Sequence, residues 1–264
     1  MMYGLLLLVC SALPGQDQAQ SAAEVKLEGK SLEAWMKQLS ADDVQERMAA
    51  AEVLRKGAVK VVGPLCRMLK EHTSSDMRQE AARAIGQLGA TAKSAVIPLI
   101  EALSSDKEEE VRSTAASVLG ELALEPDKAV PALVRALEDE KLEVRTNAAV
   151  ALGQFGGAAK SAIPPLVEML KDEVAEIRQA AAQGLGGIGQ NGPAFTALVH
   201  ALKTDKSADV RAAAATALGE LEPPGKATLE ALIEAMKDAD SGVKIASAGA
   251  VGAWAHRPNR RCLR

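Results

Sequence analysis

Six consecutive residues, Gly184-Leu185-Gly186-Gly187-Ile188-Gly189, spell the GxGxxG pattern with which a glycine-rich loop cradles a dinucleotide pyrophosphate. That chemistry needs a strand before the loop and a helix opening from it, so that backbone N–H groups at the helix N-terminus meet the phosphates. Here the segment closes a helix-like stretch. The sister stretches Leu152-Gly153-Gln154-Phe155-Gly156 and Ile85-Gly86-Gln87-Leu88-Gly89 end in the same way. Its expected role is a helix terminus with glycine in the left-handed cap position.

The other reactive side chains are sparse. His72, His200 and His256 are far apart, and none has a carboxylate or a second histidine at ligand spacing, so no metal site is expected. Cys10, Cys66 and Cys262 show no paired spacing, which removes a disulfide framework and a zinc site; Cys66 reads as a packing residue. No GxSxG elbow, HExxH pair or phosphate loop occurs, and the carboxylates fall mainly on solvent-facing edges, away from any apolar pocket that would perturb them. The expectation is no catalytic residue, no cofactor and no enzymatic activity.

The elements that carry these residues recur. An aliphatic residue followed by arginine, then a pair of small residues, then Leu-Gly, returns with the arginine at Arg78, Arg112, Arg145, Arg178 and Arg211 and with Lys244 as its last substitute. The steps are 34 and then 33 residues. The corner keeps time with it at Ile85-Gly86, Leu119-Gly120, Leu152-Gly153, Leu185-Gly186, Leu218-Gly219 and Val251-Gly252, and from Arg112 onward an acidic residue precedes the basic one by six, at Asp106, Asp139, Asp172, Asp205 and Asp238. Periods of this length mean stacked helix pairs, each burying its face only against its neighbours.

Composition agrees. Aromatic residues make up 2% of the 264, too few for the large core and pockets of a globular enzyme of this length. The formal charge of -4 argues against a phosphate-driven nucleic-acid binder. Residues 1–23 carry an unbroken apolar run, Leu5 to Cys10, followed by small and polar residues; this reads as a signal peptide and leader, too short for a membrane span. The mature chain is therefore expected to be exported, periplasmic or secreted, without a membrane span; without a signal peptide it would stay in the cytoplasm. Residues 24–30 read as a linker, 31–256 as the repeat array and 257–264 as a basic irregular tail. The abrupt change of composition after Trp254 suggests a truncated or shifted reading frame, with a tail for an acidic partner or a stacking surface for another subunit as alternatives.

Each unit has one plan, clearest from Thr91 to Leu122: a first helix with Val96, Pro98, Leu99 and Leu103, an acidic loop at Asp106, and a second helix from Val111. Pro64, Pro98, Pro131 and Pro164 hold equivalent places, so these helices should bend or start late. Arg47, Ala50, Ala51 and Leu54 repeat the theme in an atypical first unit, with Glu46 in the aliphatic place, as a terminal cap would.

On Val111-Arg112, Ala115-Ala116, Leu119-Gly120 and Asp106, with their counterparts, the chain resembles the HEAT-repeat family, in particular its short HEAT-like, phycobilisome-lyase type. The resemblance implies an all-α fold, an α-solenoid superhelix of about seven stacked helix pairs. It also implies a structural ladder between consecutive repeats, built from Asp106, Arg112, Asp139, Arg145, Asp172, Arg178, Asp205, Arg211, Asp238 and Lys244. A related array, deoxyhypusine hydroxylase, holds iron with His-Glu dipeptides; none occurs in this chain.

In HEAT-like arrays the outward positions of the second helices resemble the lining of a concave face. Those positions read Gln79, Glu80, Arg83 and Gln87; Ser113, Thr114 and Ser117; Thr146, Asn147 and Gln154; Gln179 and Gln183; and Thr216. They form a hydrogen-bonding strip, expected to be largely uncharged, with partner-binding candidates Gln79, Arg83, Thr114, Ser117, Thr146, Asn147, Gln154, Gln179, Gln183 and Thr216. Short polar residues that only solvate a helix face would look alike. The function expected is a protein–protein interaction scaffold for a partner the sequence does not identify. The family resemblance also implies an accessory lyase or chaperone-like factor for a tetrapyrrole-bearing protein, and a regulatory subunit of a larger complex is a further alternative.

Overall fold

The computed structural model describes residues 25–39, 41–189, 192–221 and 226–255. The apolar leader and the basic tail lie outside the described residues. Among the described residues fourteen α-helices follow one another in antiparallel pairs: α1 (Leu32–Leu39) and α2 (Val44–Lys56), α3 (Ala58–Glu71) and α4 (Ser75–Gln87), α5 (Val96–Ser105) and α6 (Glu109–Leu122), α7 (Pro126–Ala136) and α8 (Leu142–Gln154), α9 (Ile163–Met169) and α10 (Ala175–Ile188), α11 (Pro193–Thr204) and α12 (Ala208–Glu220), and α13 (Lys226–Ala235) and α14 (Ser241–Ala255). From α2 onward the even-numbered helices stack in chain order as one layer and the odd-numbered ones as the other. The chain is an all-α solenoid of seven helix pairs.

The first pair starts where its sequence dictates. Ser31 Oγ accepts the Ala34 N–H at 3.2 Å, and Leu32, Trp35 and Met36 turn one buried stripe inward. Part of the segment expected to be a linker has structure: β1 (Lys26–Leu27) and β2 (Lys30–Ser31) pair antiparallel through a turn with both Glu28 and Gly29 at positive φ. That turn type matches strand twist, which explains the glycine. Leu27 accepts the indole N–H of Trp35 at 2.8 Å and packs over Gly57, closing the side of the first repeat.

The prolines act in two ways. Pro98 and Pro164 lie in the first turn of α5 and α9, each behind a 3₁₀ segment, Gly89–Ala95 and Gly156–Ala162, so both α-helices start late. Pro64 and Pro131 lie inside α3 and α7.

The second helices carry the core. At six corners the aliphatic residue, Leu54, Ile85, Leu119, Leu152, Leu185 or Leu218, is at most 1% exposed, and at the last Val251 is partly buried. Each burial contributes about 2 kcal/mol before chain entropy is charged against it. The glycine beside it is where consecutive helices touch: a Cβ on Gly120 would lie 2.7 Å from Ala151 Cα, and one on Gly186 or Gly219 2.8 Å from Ala217 or Ala250 Cα. Alanine- and glycine-rich helices can approach this closely because nothing larger intervenes, and this substitutes for the missing aromatics.

The GxGxxG segment now has a physical account. Gly189 is the left-handed C-cap of α10, with φ 71°. Gly184, Gly186 and Gly187 lie inside the helix, where Gly184 meets the backbone of Ala149, Gly187 that of Gly153, and Gly186 that of Ala217. Three of the four glycines thus serve helix contact rather than a cap.

Candidate functional site

Behind the second helices runs a ladder of ion pairs. Arg78 donates from Nε and Nη2 to the two carboxylate oxygens of Asp106 in the next repeat, both at 2.7 Å. Arg112 does the same to Asp139 at 2.9 Å, Arg178 to Asp205 at 2.7 and 2.8 Å, and Arg211 to Asp238 at 2.8 and 2.9 Å. The remaining amine of each arginine holds two carbonyls of its own loop, as Arg178 Nη1 holds those of Asp172 and Glu173. Each aspartate also accepts a backbone N–H two residues on, as Asp205 does from Ser207 at 2.8 Å. One loop is therefore fixed from both sides, and Arg178 and Asp205 keep only 6% and 8% of their side-chain surfaces exposed. Bidentate, charge-assisted geometry of this kind offsets the desolvation of both ions.

Two registers differ. Arg145 donates to the carbonyls of Asp139 and Glu140, yet among the described residues it makes no pair with Asp172, whose carboxylate accepts only the Val174 N–H. The ladder expected through Arg145 and Asp172 is interrupted there. In the second repeat His72 stands in the aspartate place, and its Nδ1 accepts the Ser74 N–H at 3.1 Å, imitating the carboxylate's local bond. Lys244 ends the register, and its charge helps to hold Asp238 ionised.

The ladder makes stability depend on acid. The Arg112 guanidinium holds Asp139 below the usual carboxylate range, and Arg211 holds Asp238 down to about 2. For Asp106 and Asp205 burial is the largest influence and pushes upward, but the guanidinium and a backbone N–H together still leave both lowered. A carboxyl lowered by folding contributes stability that is complete above its unfolded value near pH 4 and lost as pH falls through its folded value. The thermal midpoint should therefore stay level from neutrality to about pH 5 and drop between about pH 4 and 2, with a shallower slope in Arg112→Gln. Circular dichroism melts across that range check this.

The outward face of the second helices holds two grooves. The first, about 540 Å³, is lined by Leu39, Arg47, Met48 and Ala51, then Arg83 and Gln87, and then by Thr114, Ser117, Glu121 and Asn147. The second, about 290 Å³, lies between α10 and α12 with Gln179, Gln183, Asp209, Thr216 and Glu220. The strip residues Arg83, Thr114, Ser117, Asn147, Gln179, Gln183 and Thr216 come together in these grooves, while Gln154 stands exposed on the same register and Gln79 and Thr146 lie half-buried between repeats.

Charge and bonding there depart from expectation. Glu80 pairs with Arg83, and Arg47, Glu121, Asp209 and Glu220 also border the grooves, so the face is not the uncharged strip that the short polar residues suggested. Burial pushes the Glu220 carboxyl up. Much of the bonding capacity is already used: Gln79 Nε2 donates to Thr114 Oγ1 at 3.0 Å across repeats, and the hydroxyls of Ser117, Thr146 and Thr216 donate to carbonyls of their own helices. Gln87, Gln154 and Gln183 remain exposed. Sequence reasoning missed Met48, which is 61% exposed in the first groove. Its place one residue after Arg47 is that of Gln79, Thr146 and Gln179, so the repeat register contained the signal.

Among the described residues no group of three or more His, Cys, Asp or Glu could hold a metal ion, and no helix is long and apolar enough to cross a membrane. The family model for HEAT repeats matches residues 96–186 and 195–258, more than half of the chain. The chain belongs to the HEAT-repeat family. The model for the PBS lyase HEAT-like repeat matches residues 77–105 of this HEAT-repeat protein. Among solved structures it is similar to the complex of CpcE and CpcF of phycocyanin lyase from Nostoc sp., at 26% identity and a TM-score of 0.50, over 60% of this chain and 98% of that one. An engineered protein (24% identity, TM-score 0.55, 74% of this chain and 96% of that one) and Escherichia coli YibA (18%, 0.50, 93% and 98%) share the fold. No curated protein matches the sequence.

Proposed function

We propose that this HEAT-repeat protein is a non-catalytic scaffold, exported from the cytoplasm, that grips a protein partner along the outward face of its second helices. The observation that carries the reading is the pair of grooves on that face, with exposed Met48 and Gln87 lining the first and exposed Gln183 the second. A stack of repeats presents such a face as one extended surface on which many modest contacts add up. The likeness to a phycocyanin lyase complex supports a second reading, an accessory factor for a tetrapyrrole-bearing protein. Neither groove is lined by an aromatic residue to stack on a planar ring, which favours a protein surface as the ligand.

The test is affinity capture from native extract with the full chain, against a variant carrying Gln154→Lys, Gln183→Lys and Thr216→Lys, all exposed positions. A specific protein retained by the wild type and lost at least tenfold by the variant, with helicity unchanged, is the expected outcome. Equal retention would move the interface off this face, and recovery of a pigment instead of a protein would favour the second reading.

A further inference from the structure

The interrupted rung coincides with a second irregularity at the same junction. At three neighbouring junctions a glycine of one second helix receives an alanine of the next, Gly120 on Ala151, Gly186 on Ala217 and Gly219 on Ala250. Between α8 and α10 glycine meets glycine: a Cβ on Gly153 would lie 3.1 Å from Gly184 Cα, and one on Gly187 2.8 Å from Gly153 Cα. No alanine methyl is among the nearest contacts of Gly153 or Gly187. The two helices approach backbone to backbone near their C-terminal ends.

Helices are stiff, so closing one end of a crossing moves the other. Arg145 lies eight residues before Gly153, about 12 Å along α8 at 1.5 Å per residue. At that distance a small rotation about the glycine contact carries its guanidinium out of reach of Asp172. On the loop side the first helix of this repeat, α9, has only seven residues, and the 3₁₀ segment before it breaks at Ala159, with φ -96° and ψ 20°. A cavity of about 1020 Å³ opens beside it, walled by Asp172, His200 and Asp205, with Val167, Leu170 and Ala197 among its apolar lining.

We propose that the junction between α8 and α10 is a hinge, with Gly153, Gly184 and Gly187 as its pivot and the unclosed Arg145–Asp172 rung as its latch. On one side Arg78–Asp106 and Arg112–Asp139 tie three repeats into one body; on the other Arg178–Asp205 and Arg211–Asp238 tie the last three into another. The stability of a repeat array is a sum of neighbour terms, so between the two laddered bodies the junction lacking both a rung and a glycine–alanine key moves first. The first groove is built on the leading body together with the first repeat, all on one side of the junction, and the second wholly on the trailing body. Hinge motion therefore alters the separation of the grooves and not their shapes. On the scaffold reading, a partner that spans both selects one hinge angle, and closing the latch would hold it.

Paramagnetic distance distributions on the full chain test this directly, with nitroxides attached at introduced ketone side chains so that native cysteines stay in place. Exposed pairs Asp76–Glu140 and Glu173–Ala239 report within each body, and Lys107–Lys206 reports across the junction. The expected result is a distribution for Lys107–Lys206 at least twice as wide as either internal pair. Equal widths overturn the hinge. A thermodynamic cycle of Arg145→Gln and Asp172→Asn should show coupling indistinguishable from zero, beside clear coupling for Arg112→Gln and Asp139→Asn. Comparable coupling in both cycles would mean a closed rung in solution and overturn the latch. Neither readout uses a partner, so failure of the hinge and failure of the scaffold reading are distinguishable.

Discussion

Replacing Arg178 by Gln should destabilise the chain by about 3 kcal/mol, with a fall of roughly 6–12 °C in the thermal midpoint. The substitution removes two bonds to the Asp205 carboxylate and two to the loop carbonyls of Asp172 and Glu173. What makes it costly is the remainder. Asp205 keeps only its bond from the Ser207 N–H and stays almost fully buried, so a desolvated carboxylate loses its counter-ion. Adding Asp205→Asn should recover part of the loss, because the amide removes the orphaned charge and can still accept that N–H. Arg145→Gln is the comparison: it forfeits two carbonyl bonds but no carboxylate and should cost about 1 kcal/mol. Urea unfolding of the wild type and the three variants decides the matter. Equal costs at Arg178 and Arg145 would mean that loop bonding, and not the inter-repeat ion pair, carries the ladder.

That contrast marks the limit of what the sequence reveals. Period, helix pairs and corner residues were legible because burial acts on residue type: the corner aliphatics from Leu54 to Leu218 are buried, with the terminal Val251 partly so. The spacing of arginine and aspartate also repeats without a flaw through Arg145 and Asp172, and there it misleads. Whether a rung closes depends on helix crossing geometry, set by the glycines opposite one another on α8 and α10, and no single repeat contains that information. The outward face was partly legible for a similar reason. Residue register identified the positions that line the grooves, whereas the partners of Gln79 and Thr114 come from adjacent repeats and show only when the helices are stacked. The His72 side chain illustrates a third limit: its identity breaks the pattern, but its Nδ1 restores the local hydrogen bond that the pattern required.

The glycine contact yields the second large effect. Gly120→Ala places a methyl 2.7 Å from both Cα and Cβ of Ala151 and against the Gln154 side chain. Gln154 can swing away, but Ala151 belongs to the backbone of a packed helix and cannot, so α6 and α8 must separate. Overpacking of this kind costs about 1–3 kcal/mol even though alanine is the better helix former by about 1 kcal/mol. The separation acts on the bidentate Arg112–Asp139 rung between the same repeats, which loosens as the loops move apart. Gly249→Ala provides the opposite sign. It lies inside α14 with nothing within 4 Å of its would-be Cβ and no proline after it, and the same methyl should stabilise by roughly 0.5–1 kcal/mol through helix propensity alone. Denaturation midpoints of the two variants moving in opposite directions would establish that glycine in the Leu-Gly corner is retained for helix approach. Stabilisation by both would show that the junction relaxes freely, and the close packing of small residues would then no longer account for a solenoid built almost without aromatics.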